Sequence, residues 1–110
     1  MSNVLDKIRN AQQYQAVFSA RKNLHSSYYT LYFQKNTLEH PRLGIIASKK
    51  NIRLAVERNR IRRIVRETFR QSKIAPNGID IVIVVKREAK GVNRKELREC
   101  LEQLVMRLKG

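Results

Sequence analysis

The feature that most constrains this chain is an apolar strand running through two lysines into an arginine-studded helix. Residues 42–70 read Arg-Leu-Gly-Ile-Ile-Ala-Ser-Lys-Lys-Asn-Ile-Arg-Leu-Ala-Val-Glu-Arg-Asn-Arg-Ile-Arg-Arg-Ile-Val-Arg-Glu-Thr-Phe-Arg. Wound at about 100° per residue, positions 54–70 bring Ile61, Ile64, Val65, Thr68 and Phe69 into one apolar stripe, at i, i+3, i+4, i+7 and i+8. Arg62, Arg63, Arg66 and Arg70 fall on the opposite side, with Asn59 among them. From Lys49 to Lys73 there are ten basic residues and two acids, Glu57 and Glu67. Repulsion along such a face must be offset by counterions or by a bound ligand. A solvated helix face without a partner ordinarily interleaves both signs, and this one does not.

The rest of the chain carries the same charge. A formal net charge of +15 on 110 residues argues for nucleic acid first and an anionic membrane second. The membrane reading is the weaker. No apolar run approaches the roughly 20 residues a spanning helix needs, and the basic helix sets Ile and Phe, but no Trp, against its arginines. The partner is therefore expected to be RNA or DNA. Apolar residues make up 42% of the chain, enough for one domain over residues 1–110 with one core. A single cysteine excludes an internal disulfide, and no signal-type apolar segment follows the N-terminus, so a cytoplasmic protein is expected. Cys100, at helical spacing between Leu97 and Leu104, reads as a small core residue.

Short, well-punctuated elements run along the chain. Asn10 with Gln13 resembles a capping box, and Tyr14, Val17 and Phe18 follow at helical spacing, predicting a short first helix. A weak extended stretch near 19–25 precedes Tyr28-Tyr29-Thr30-Leu31-Tyr32-Phe33, a strand by its β-branched and aromatic content. Alternation assigns Tyr29, Leu31 and Phe33 to the core, and Tyr28, Thr30 and Tyr32 to a second, hydroxyl-bearing face. A polar connection over Lys35 to Arg42, containing Pro41, leads to a strand over Leu43 to Ser48. After the arginine helix, Pro76-Asn77-Gly78 marks a turn. The nearly continuous Ile and Val of Ile79 to Val85 predict a strand covered on both faces. Asn93 with Glu96 signals a cap for a last amphipathic helix through Leu97, Cys100, Leu101, Leu104, Val105 and Leu108. The expected fold is α+β: a two-layer α/β sandwich in the order α-β-β-β-α-β-α, whose mixed sheet contains a βαβ crossover.

Protein-only catalysis finds little support. The nine carboxylates are scattered, without the convergent spacing a Mg²⁺- or Mn²⁺-dependent nuclease needs. Asp80, beside Asn77-Gly78, reads as a turn residue despite its place in a strand signal. His25 and His40 are isolated, which disfavours zinc and paired-histidine chemistry. The four glycines are too far apart for a phosphate loop. Neither catalytic nor metal-ligating residues are assigned; the chain is expected to act on nucleic acid by binding it.

Arg42-Leu43-Gly44, Ser48-Lys49-Lys50, Ala55-Val56, Arg58-Asn59-Arg60, Arg62-Arg63, Arg66-Glu67 and Phe69-Arg70, in this spacing, resemble the signature of the bacterial ribonuclease P protein subunit. Tyr14-Gln15-Ala16-Val17-Phe18 is similar to the family's first helix and Ile79 to Val85 to its last strand, so the resemblance spans essentially the whole chain. There are two departures. Tyr14 stands where an aromatic, commonly Phe, is expected, and Ala20-Arg21 replaces a frequent Gly.

The resemblance implies a ribonucleoprotein endonuclease that removes 5′ leaders from precursor tRNA. The RNA subunit would hold the catalytic Mg²⁺, and the crossover would be left-handed, against the general rule. It also implies an RNA-subunit-binding set of Lys49, Lys50, Arg58, Asn59, Arg60, Arg62, Arg63, Arg66 and Arg70. Guanidinium forks suit phosphate bidentately. Asn59 has a structural alternative, holding the helix start by a side-chain hydrogen bond. The family's cleft for the single-stranded leader would here be lined by Tyr14, Phe18, Thr30 and Tyr32, since aromatic platforms stack any unpaired base. The rival readings are a small ribosomal-type structural RNA-binding protein and a DNA-binding module. The latter is disfavoured because a strand, not a helix, precedes the basic helix.

Overall fold

Binary patterning decides the long elements, and the computed structural model, which describes residues 6–38, 40–72 and 77–109, shows them where the periodicity puts them. The elements are β1 (Asp6–Lys7), α1 (Ala11–Ser19), β2 (Asn23–His25), β3 (Tyr29–Lys35), β4 (Arg42–Ile46), α2 (Ala55–Ser72), β5 (Ile79–Val85) and α3 (Arg94–Lys109), with one 3-10 turn at Arg87–Ala89. Both predicted caps form. The Asn10 side chain accepts from Gln13 N–H at 2.9 Å, and Asn93 Oδ1 accepts from Glu96 N–H at 2.9 Å. The Gln13 side chain reaches back to Arg9 N–H, one residue earlier than in the usual box.

The sheet order is β1-β4-β5-β3-β2. β4 runs parallel to both β1 and β5, whereas β3 is antiparallel to β5 and β2, so the sheet is mixed. Because β4 and β5 are parallel neighbours, α2 is the crossover of a βαβ unit. β1 adds to the predicted order. Two residues long, it carries no periodic signal, and it pairs only Asp6 with Arg42 and Lys7 with Leu43.

The central strand β5 is covered on both faces, as its composition predicts. On one face Ile81, Ile83 and Val85 join Tyr29, Leu31 and Leu43 beneath Ile61, Ile64, Val65 and Phe69 of α2 and Leu97, Leu101, Leu104 and Val105 of α3. On the other, Val82 packs with Ile8 and Val17, flanked by Tyr14, Phe18, Tyr32, Ile46 and Val84. Helices α2 and α3 thus make one helical layer, and α1 lies alone across the opposite sheet face. The whole predicted stripe of α2 is buried, including Thr68, whose hydroxyl is satisfied by the Ile64 carbonyl at 2.6 Å.

Three local expectations change. Asp80 is a strand residue, not a turn residue. It lies opposite Arg42 in the parallel β4–β5 register, 4% exposed, and accepts from Arg42 Nε and Nη2 at 2.8 and 2.6 Å and from Asn36 Nδ2 at 2.7 Å. A buried carboxylate needs such partners, and the bidentate fork supplies them. Tyr28 precedes β3 and leaves its alternation. It packs against the α2/α3 core and donates its hydroxyl to Glu96 Oε2 at 3.1 Å, which raises its phenol pKa. Strand β4 begins at Arg42 and ends at Ile46, before Ser48, whose hydroxyl instead accepts from Asn51 N–H at 3.2 Å in the turn leading to α2. Of the expected 76–78 turn, Asn77 and Gly78 form a turn with Gly78 at φ +73°, and Pro76 lies outside the described residues.

Candidate nucleic-acid interface

The basic residues of α2 divide by the flank of the helix they occupy. Arg60, on the flank facing α3, is engaged inside the protein. Its Nε and Nη2 donate to Glu57 Oε1 and Oε2 at 3.0 and 2.8 Å, and Nη2 also donates to the Val92 carbonyl at 2.9 Å. Gly91 N–H donates to the same carboxylate at 3.0 Å, so one Glu–Arg pair ties the turn before α3 to α2. The Arg60 bonds, then that of Gly91, hold the Glu57 carboxyl down at about 2, and Glu57 in turn raises the Arg60 pKa. Farther along this flank, Glu67 pairs with Arg94 at 3.5 Å.

Arg58 is also a structural anchor. Its Nη1 donates to the Ile52 and Arg53 carbonyls at 3.1 and 2.9 Å, fixing the segment that enters the helix. That grip, with the Leu54 carbonyl accepting from Arg58 N–H at 3.0 Å, holds the helix start. Asn59 lies exposed on the outer face, and no side-chain bond from it to the helix start is found among the described residues. Arg62 reaches the Ala47 carbonyl at 3.5 Å. Arg63, Arg66 and Arg70 make no ion pair or side-chain hydrogen bond among the described residues; the first and last are exposed and Arg66 is half-buried. Lys49 and Lys50 are exposed in the turn between β4 and α2. Of the nine residues expected at an RNA interface, Lys49, Lys50, Asn59, Arg63, Arg66 and Arg70 are thus free to meet a ligand. Arg60 commits Nε and Nη2 to the fold, and Arg58 commits Nη1 alone, leaving its Nε and Nη2 for a ligand. The i, i+3 spacing of Glu57 and Arg60 was visible in sequence, but the Val92 and Gly91 contacts that seat the pair were not.

The four expected cleft residues do converge on the α1 face. Phe18 and Tyr32 meet edge to face, with ring centroids 4.8 Å apart and planes at 81°. Thr30 is buried beside them, its hydroxyl 3.3 Å from His25 Nδ1. Tyr14 lies over Gly44 so closely that a Cβ there would sit 2.6 Å from its Cε1. Glycine in the Arg-Leu-Gly run is therefore the residue that lets α1 seat its aromatic on β4. Around that ring, Lys7, Ile8, Leu43, Ile45, Arg66 and Arg70 line a depression of about 160 Å³ at the β4 edge. The free arginines and the aromatic cleft, separate expectations from sequence, meet at this edge.

This geometry offers guanidinium groups and lysines for phosphates and half-buried aromatic faces for unpaired bases. Among the described residues, no group of three or more His, Cys, Asp and Glu side chains could hold a metal ion, and no helix is long and apolar enough to cross a membrane.

Comparison with known proteins points the same way. The family model described as Ribonuclease P matches residues 3–109. The ribonuclease P protein component of Coxiella burnetii is 42% identical over 102 residues, covering 93% of this chain and 84% of that protein. The component of Pseudomonas paraeruginosa is 37% identical over 103 residues, covering 93% and 76%. Among solved structures, the RNase P protein from Thermotoga maritima superposes with a TM-score of 0.85 at 32% identity, over 96% of this chain and 99% of that one. The Staphylococcus aureus RNase P protein superposes with a TM-score of 0.87 at 28% identity, over 94% of each. With sequence motif, fold and comparison in agreement over nearly the full length, this chain belongs to the ribonuclease P protein family.

Proposed function

We propose that this chain is the cytoplasmic, single-domain RNA-binding subunit that docks on the catalytic RNA of ribonuclease P through the outer face of α2 and holds the 5′ leader of precursor tRNA in the α1 cleft. The observation that carries the reading is the meeting of Arg66 and Arg70 with Tyr14 in one depression. A strand leaving the arginine face finds an aromatic platform within the same surface. The donor set at this face is cationic, and its acids are spent: Glu57 on Arg60 and Gly91, Glu67 on Arg94. It fits phosphate rather than Mg²⁺, so the metal that activates water for phosphodiester hydrolysis belongs with the RNA subunit. This chain's part is to bind and orient.

Reconstitution with a bacterial ribonuclease P RNA at low Mg²⁺ tests the proposal. The protein alone should cleave nothing; cleavage by rigorously RNA-free protein would overturn it. Phe18→Ala or Tyr32→Ala should weaken holoenzyme binding of leader-bearing precursor by about 5- to 150-fold, the worth of one stack, and barely change binding of mature tRNA. Equal losses for both ligands would remove the leader assignment.

A further inference from the structure

Two of the exposed large apolar side chains sit close together in the chain at the start of the arginine helix: Leu54 is 60% exposed and Val56 74%. Val56 lies on the outer face of α2, in line with Asn59 and Arg63 at i+3 and i+7, so it belongs to the stripe of free basic residues rather than to the core side. Leu54 borders a shallow depression of about 190 Å³ shared with Ile52, Arg53, Glu57, Lys90 and Gly91. The rim is basic. Arg53 and Lys90 line it and are exposed, and its one acid, Glu57, is paired with Arg60. An aliphatic pair bordered by cations does not suit a second copy of this chain, since two copies would bring +15 against +15. It suits a polyanion that also presents apolar faces, and an RNA with unstacked bases is such a partner.

We infer that Leu54 and Val56 form a nonpolar contact with exposed base faces of the RNA subunit, beside the phosphate contacts made by the neighbouring basic residues. This rests on the proposed docking of α2. The two kinds of contact differ in salt dependence. Phosphate contacts release counterions and steepen the fall of log K with log salt, whereas apolar burial on a base leaves that slope alone.

The test is binding of the full chain to a bacterial ribonuclease P RNA across a salt series, comparing parent, Leu54→Ser/Val56→Ser, and Arg63→Ala/Arg66→Ala/Arg70→Ala. The aliphatic variant should bind about 5- to 50-fold more weakly at every salt concentration with the parent's slope, given the few methylene groups left unburied. Urea unfolding should match the parent, because both side chains are solvent-exposed. Unchanged affinity, or a slope reduced as in the arginine variant, overturns the inference. So does a self-association of the free parent, seen by sedimentation, that the aliphatic variant loses. If the arginine variant alone binds as the parent does, the docking of α2 fails instead, so the two failures are distinguishable.

Discussion

Replacing Gly44 with Ala tests the seating of α1 on the sheet. A Cβ built there would lie 2.6, 2.8 and 2.9 Å from Cε1, Oη and Cζ of Tyr14, where ordinary contact begins at 3.4 Å. The ring must therefore retreat by roughly 1 Å or swing outward, and overpacking of this kind costs about 1–3 kcal/mol. Tyr14 is half-buried and can yield, which places the cost at the lower end. Against it stands a gain of roughly 0.5–1 kcal/mol, because alanine loses less backbone entropy than glycine in a strand. Gly44→Ala should thus destabilise the protein by about 1 kcal/mol with Tyr14 present. In a Tyr14→Ala background the clash is gone and the entropy gain remains, so the same change should stabilise by about 0.5 kcal/mol. The expected coupling is about 1.5 kcal/mol with a change of sign, read from urea midpoints followed by circular dichroism. Equal effects of Gly44→Ala in both backgrounds would refute the claim that the glycine exists to admit the ring.

Other changes have equally definite outcomes. Arg63→Ala/Arg66→Ala/Arg70→Ala should reduce the slope of log affinity against log salt for the RNA subunit by about 2–3, roughly one for each phosphate no longer neutralised, and a parental slope would exclude that face. Glu57 has its carboxyl lowered from 4.5 to about 2, so the stability it contributes is complete above pH 4.5 and disappears as pH falls through about 2. Glu57→Gln should therefore cost stability at pH 7, and the difference from the parent should shrink across that acidic window in urea titrations. Asp80→Asn removes the charge from the buried carboxylate that accepts the Arg42 fork and should cost about 2–4 kcal/mol in chemical denaturation. Arg21 adopts φ +57° just after α1, so Arg21→Gly should raise stability by about 0.5–1 kcal/mol; a loss would mean that the arginine side chain holds more than its backbone strains.

Helical and strand periods were plain in the sequence because burial repeats along the chain, and the caps at Asn10 and Asn93 are local bonds of three residues' span. The arginine face was legible for the same reason. Its division was not. Arg58 and Arg60 share residue type and spacing with Arg62 and Arg63, and only the carbonyls of Ile52, Arg53 and Val92, placed by the fold, make them anchors. Asp80 misled because a turn signal two residues away outweighed a strand partner, Arg42, 38 residues distant. Tyr28 leaves the face that alternation assigns to it because it stands one residue before the start of β3.

The brevity of β1 determines which surface is reachable. The chain pairs with β4 only as far as the bond from Ile8 N–H to the Leu43 carbonyl, and then turns into α1 at the Asn10 cap. Among the described residues no strand follows on the outer side of Gly44, Ile45 and Ile46. That gap is the doorway through which Arg66 and Arg70 see Tyr14. Were residue 10 a β-former without a capping oxygen, the strand could run on past Ile45 and wall the two surfaces off from each other. A single asparagine that starts a helix on time thereby keeps a passage open around the sheet edge.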